Sequence, residues 1–137
     1  MADGDEDKLD PKLFREACEA RAHAEGFLDL AAKELDHRGS RDSPEWEDRN
    51  RRFSRYVDLA RPHTNRAVRK MIQADPKLKE EYDNAESGPP VDRNELVGKD
   101  TLFERKYADM SDAEIRRSHV EDEAFNILLR LCRSPGS

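Results

Sequence analysis

The sequence predicts an all-α fold: an irregular bundle of four to six helices with a long N-terminal helix and an apolar C-terminal helix. Apolar residues recur every three or four positions over long stretches, which is the period of an amphipathic helix. A helix-start signal, a capping residue followed by proline, occurs three times, at Asp10-Pro11, Ser43-Pro44 and Asp75-Pro76. No useful stretch alternates apolar and polar residues as a half-buried strand does, so we expect no sheet.

Length and composition predict one domain with a thin core. The chain has 137 residues, of which 41% are charged, and its net charge is −6. We interpret residues 1–10 as an acidic flexible tail and residues 11–137 as a single helical domain. A loop at 87–90 separates a C-terminal helical arm from the rest. No apolar run could span a bilayer and the acidic N-terminus is no secretory signal, so we expect a soluble, cytoplasmic protein without a membrane partner.

The two cysteines, Cys18 and Cys132, fall inside predicted helices 114 residues apart. They form no C-x-x-C pair, and two cysteines are too few for a disulfide scaffold. The simplest interpretation is that both are small core residues in a reducing compartment. A disulfide between the terminal helices is the alternative.

The first helix is predicted over residues 11–38, with Asp10 as its capping residue and Gly39 just past its end. Its apolar positions are spaced by three and four residues and are mostly alanine: Leu13, Ala17, Ala20, Ala24, Leu28, Ala31 and Leu35. Because alanine is small, we expect a neighbouring helix to approach this face closely.

The middle of the chain predicts three shorter helices. The first runs over 44–60 and is ended by Pro62, because proline disfavours helical geometry at the preceding residue. Two more follow over 65–74 and 76–84. Beyond the loop, a short turn is expected near 96–97, capping boxes begin at Thr101 and Ser111, and the last helix should run over 112–132.

Residues 49–70 form a basic segment with eight cations and one acid. One interpretation is nucleic-acid binding, because helix 44–60, the turn at 61–64 and helix 65–74 have the proportions of a helix-turn-helix. Its second helix would present four residues to a groove: Asn65, Arg66, Arg69 and Lys70. The other interpretation is that the cations pair with acidic residues of the same chain or of a sister subunit.

Residues 124–132 are the most hydrophobic stretch of the sequence. On a helix they form two neighbouring apolar stripes, which predicts burial on several sides. This helix is either central in the bundle or partly buried against another chain. We predict that Phe125, Leu128 and Leu129 anchor a partner protein, with Arg51, Arg52 and Arg55 giving polar contacts at the rim.

We find no pattern that predicts catalysis, a cofactor or a metal. Glu34 and His37 have the E-x-x-H spacing of di-iron bundles, but those sites need the motif twice and two further carboxylates. His63 is expected in a turn. Cys18 and His23 fall on different faces of a helix, Cys132 has no nearby histidine in the sequence, and the serines are typical of caps, loops or surface positions. We therefore predict that the chain is not an enzyme.

The predicted function is that of a non-enzymatic helical protein–protein interaction module. It would be a small structural or regulatory subunit that docks into a larger assembly or a homo-oligomer. The alternative is a nucleic-acid-binding regulator that uses the helix-turn-helix-like segment 49–70.

Overall fold

A computed structural model describes residues 8–36, 41–96 and 106–132, and in these ranges the chain forms four α-helices and no strand. The helices are α1 (Pro11–Asp36), α2 (Trp46–Ala74), α3 (Pro76–Asp83) and α4 (Asp112–Leu131), with 3-10 turns at Arg93–Leu96 and Tyr107–Asp109. The predicted all-α bundle is confirmed. The predicted helix end at Gly39 and the capping box at Thr101 lie outside the described residues.

Helices α1 and α2 form a long antiparallel hairpin. The Asp10 carboxylate caps α1 as predicted, because it accepts hydrogen bonds from the backbone N–H groups of Lys12 (3.0 Å) and Leu13 (3.1 Å). The two helices meet through buried small side chains: Ala17, Ala20, Ala24, Ala31, Ala60 and Ala67. Since alanine adds little bulk, the alanine row of the first helix contacts its neighbour as the sequence predicted.

Helix α2 continues without a break through Pro62, so the predicted helix end near Ala60 and the separate helix 65–74 are wrong. An interior proline removes one hydrogen bond and costs roughly 3 kcal/mol. Ala60 and Ala67 lie on either side of this proline and are both buried. One continuous helix keeps both alanines facing α1, and this packing offsets the local cost.

We expect Pro62→Ala to raise the free energy of unfolding by about 1–2 kcal/mol. Chemical denaturation monitored by circular dichroism measures this change. Alanine restores the missing donor, although the more flexible unfolded chain takes back part of the gain. The matched control is Pro76→Ala, because Pro76 occupies the first turn of α3, where no donor is needed. Unchanged or lower stability of Pro62→Ala would contradict the expectation.

The later helices begin at the predicted caps. The Asp75 carboxylate accepts from the Lys77 N–H at 2.9 Å, and Ser111 and Glu114 form a reciprocal capping box at the start of α4. Arg116 on α4 donates hydrogen bonds to the carbonyl oxygens of Ala85 and Pro89. Helix α4 is thereby fixed to the loop that follows α3.

The main core lies where α4 packs against α2 and α3. Its largest fully buried side chains are Val68, Met71, Leu78 and Leu128. A smaller cluster of Tyr107, Met110 and Ile115 closes the start of α4. The outer half of the α1–α2 hairpin lies beyond α4, so mainly alanines are buried there.

Cys18 and Cys132 are joined by a disulfide, with Cα atoms 5.4 Å apart. The prediction of free cysteines is therefore wrong, and the alternative of a bond between the terminal helices holds. The bond connects α1 to the residue that follows α4, two elements with few other contacts. Within the described ranges, none of the helices combines the length and apolar character needed to cross a membrane.

Candidate interaction surface

The three apolar residues predicted as an anchor on α4 differ in exposure. Leu128 is fully buried in the core, so it is not available to a partner, and the prediction for this residue is corrected. Phe125 is half-buried and packs against the same core. Leu129 is 48% exposed. The apolar surface that α4 offers to a partner is therefore Leu129 together with the outer edge of Phe125.

Part of the basic segment pairs with acids of α1. The guanidinium Nε of Arg52 lies 3.1 Å from a carboxylate oxygen of Glu34, and Arg49 lies 3.5 Å from the other oxygen. At the opposite end of the hairpin, the Lys70 ammonium lies 2.8 Å from Glu16. The hydrogen bond from Lys70 lowers the pKa of the Glu16 carboxyl below its usual value. These contacts agree with the interpretation that the basic helix pairs charges within the chain.

Other arginines of the segment face solvent. Arg51 is exposed and lies 3.7 Å from Asp48 on its own helix. Arg55 and Arg66 are also exposed, and in the described part of the chain neither makes a close ion pair, although the charge of Arg66 helps to lower the pKa of the Glu16 carboxyl. Arg55 and Arg66 can therefore meet a charge on another molecule, as can Arg69, which is exposed on the side of α2 that carries α4.

The four residues predicted to enter a nucleic-acid groove have different surroundings in the structure. Asn65 and Arg69 line a cavity of about 280 Å³ beside Tyr82 and Glu121, on the side of α2 that carries α4. Lys70 and Arg66 follow the other edge of α2, next to Glu16. Because α2 also lacks a turn at 61–64, the predicted helix-turn-helix is wrong.

One long side of the hairpin is left uncovered by the described helices, and we call it the open face. Three contacts between α1 and α2 run along it: Glu16 with Lys70, His23 and Phe27 with His63, and Glu34 with Arg52. The side chains that line the open face are spaced by three, four or seven residues along each helix, so they lie on one side of it. They are Glu16, His23, Phe27, Leu30 and Glu34 from α1, and Arg52, Tyr56, Leu59, His63, Arg66 and Lys70 from α2.

The centre of the open face is apolar and aromatic. Leu30 and Leu59 are each 41% exposed there. The His63 ring centre lies 5.4 Å from that of His23 and 5.7 Å from that of Phe27. The sequence predicted His63 in a turn and gave no sign of this cluster, because Pro62 was interpreted as a helix end. With Pro62 inside α2, the regular helical spacing brings His63 onto the same face as Leu59 and Arg66.

A larger cleft of about 590 Å³ lies between α3 and α4. Its polar side chains carry both charges and include Lys77, Glu80, Arg116 and His119. Arg116 is already engaged with backbone carbonyls. Among the described residues, no group of three histidine, cysteine or carboxylate side chains is placed to hold a metal ion. His37 of the E-x-x-H motif lies outside those ranges, and Glu34 pairs with arginines.

No protein-family model, curated protein or solved structure matches this chain.

Proposed function

We propose that this chain is a helical protein–protein interaction module without catalytic activity, a small structural or regulatory subunit that docks into an oligomer or a larger assembly. The observation that carries this proposal is the exposed leucines of the open face, the side of the hairpin that the described helices leave uncovered. Leu30 and Leu59 each follow a half-buried aromatic residue, Phe27 and Tyr56, by three positions on the same helix face, and this spacing makes one apolar area of them.

The polar surroundings of this area suit a protein interface. Arg55 and Arg66 flank the apolar centre and are exposed, so a partner's carboxylates can reach them. Arginine is enriched at interfaces because its planar fork binds carboxylates in two places at once. Leu129 on α4 offers a second, smaller contact. The expectation of a cytoplasmic protein relied partly on free cysteines in a reducing compartment. Because Cys18 and Cys132 form a disulfide, the proposed function does not rely on that location.

Affinity capture of the tagged chain from its native cells, with a differently tagged second copy present, tests the proposal. We expect the tagged chain to capture a partner protein, which can be the second copy. The captured amount should fall at least fivefold for the double variant Leu30→Asp with Leu59→Asp, or for the single variant Leu129→Asp. Variants must keep the wild-type circular dichroism spectrum. Capture that is identical for all three proteins would refute the interaction module. Capture that needs nucleic acid and falls steeply between low and moderate salt would favour the nucleic-acid alternative.

A further inference from the structure

The charges of the open face are divided between its two helices. The α1 side carries Glu16 and Glu34, with exposed Glu19 beside them and exposed Lys12 one turn before Glu16, at the end of the face. The α2 side carries cations only: Arg52, Arg55, Arg66 and Lys70. The face therefore has an acidic edge and a basic edge that run in parallel along the hairpin.

The acidic and basic groups also lie at matching heights. Glu16 contacts Lys70 at one end and Glu34 contacts Arg52 at the other, with the Phe27–His63 contact between them. A twofold axis parallel to the helices exchanges left and right but preserves height. Two such faces placed together about this axis would bring the acidic edge of each copy onto the basic edge of the other.

We propose that two copies of this chain dimerise through their open faces about such an axis. The dimer rests on the proposed interaction function and makes a second copy of the chain the partner. Helix α1 of each copy lies antiparallel on α2 of the other, and the four helices form a bundle of the antiparallel type. Leu30 and Leu59 of both copies fill its centre. Glu19 of each copy lies near Arg66 of the other, because both residues border the Glu16 end of the face.

Charge favours a second copy over other occupants. A uniformly acidic helix from another protein would meet Glu16, Glu19 and Glu34 on half of the face. A dimer whose twofold axis ran across the helices instead of along them would place α2 on α2, with Arg52 of one copy opposite Arg66 of the other. These like charges would repel each other. The length also suits a dimer, because the 18 residues from Glu16 to Glu34 extend for about 27 Å in a helix. With two helices of roughly 10 Å each across its width, the face measures about 540 Å², near the lower end of a standard interface, roughly 600 Å² per partner.

Sedimentation equilibrium of the purified chain, from micromolar to submillimolar concentration, tests the dimer. We expect a dimer for the wild-type chain and a monomer for Leu30→Asp. The matched control is Leu28→Asp on the same helix, because Leu28 is 43% exposed, against 41% for Leu30, but lies outside the open face. Circular dichroism confirms that each variant is folded. A monomeric wild-type chain, or equal effects of the two variants, would overturn the proposal.

A charge exchange tests the arrangement of the two copies. Arg66→Glu alone and Glu19→Arg alone should each weaken the dimer about tenfold or more, since two symmetric contacts change from attraction to repulsion. Mixing the two variants should restore wild-type affinity. In the mixed dimer one contact between positions 19 and 66 keeps its native charges, and the other has both charges exchanged, so both contacts are attractive. A mixture as weak as the separate variants would overturn the proposed axis.

The two proposals can fail separately. If the purified chain is monomeric while capture from cells still depends on Leu30 and Leu59, the interaction function stands and the second copy is not its partner. If the purified chain is monomeric and capture does not depend on these residues or on Leu129, both proposals fail.

Discussion

Removing the bond between Cys18 and Cys132 will lower the free energy of unfolding by about 4 kcal/mol. The two cysteines are 114 residues apart, so the bond closes most of the chain into one loop. In the chain-entropy account, a loop of this size restricts the unfolded chain strongly and thereby stabilises the folded state. A loss of this size is a large part of the roughly 5–15 kcal/mol typical of a folded protein.

Urea denaturation with and without a phosphine reductant measures the effect. The variant Cys18→Ala with Cys132→Ala should resemble the reduced wild-type protein, and its stability should not respond to the reductant. Alanine is the appropriate substitution because Cys132 is buried in the main core. Thiol titration of the unreduced wild-type chain should find no free thiol. A difference below about 1 kcal/mol between the oxidised and reduced protein would contradict the prediction.

Local sequence signals predicted the helix starts well. Asp10, Asp75 and Ser111 each accept hydrogen bonds from backbone N–H groups two or three residues later, as their spacing indicated. Such signals depend on neighbouring residues alone, and therefore they can be read from the chain without its tertiary structure. The α2 start was displaced by two residues, to Trp46, because the turn at Ser43 precedes the helix.

The features that the sequence did not predict depend on packing between distant segments. Pro62 was interpreted as a helix end because the local rule ignores the contact of Ala60 and Ala67 with α1. The Cys18–Cys132 bond forms because α4 ends beside the first half of α1, and this proximity cannot be read from the local sequence. The composition gives no information on either juxtaposition, since both involve residues that are distant in sequence.

The candidate surface was predicted in part for the same reason. The sequence predicted that the basic segment could pair with acidic residues of the same chain, and the structure pairs Glu34 with Arg52 and Glu16 with Lys70. The sequence placed the anchor on α4 because its apolar stripes are the widest. Which stripe is buried is decided by the direction from which α2 and α3 approach, and this direction buries Leu128.

Leu128→Ala will destabilise the protein by about 3–4 kcal/mol, whereas Leu129→Ala will change its stability by less than about 0.5 kcal/mol. The two residues are adjacent and have the same side chain, so helix propensity and composition are matched. Leu128 is completely buried in the main core and Leu129 is 48% exposed. Truncating Leu128 removes buried apolar surface and leaves a cavity that the surrounding side chains fill only partly.

Urea denaturation of both variants, measured well above and well below any dimerisation constant, separates core effects from interface effects. A core residue lowers stability equally at all protein concentrations, whereas an interface residue lowers it only where the partner is bound. If Leu128→Ala costs less than Leu129→Ala, α4 faces the core with the opposite stripe. The placement of α4 on α2 and α3 would then be wrong, and Leu128 would return to the partner surface that the sequence alone assigned to it.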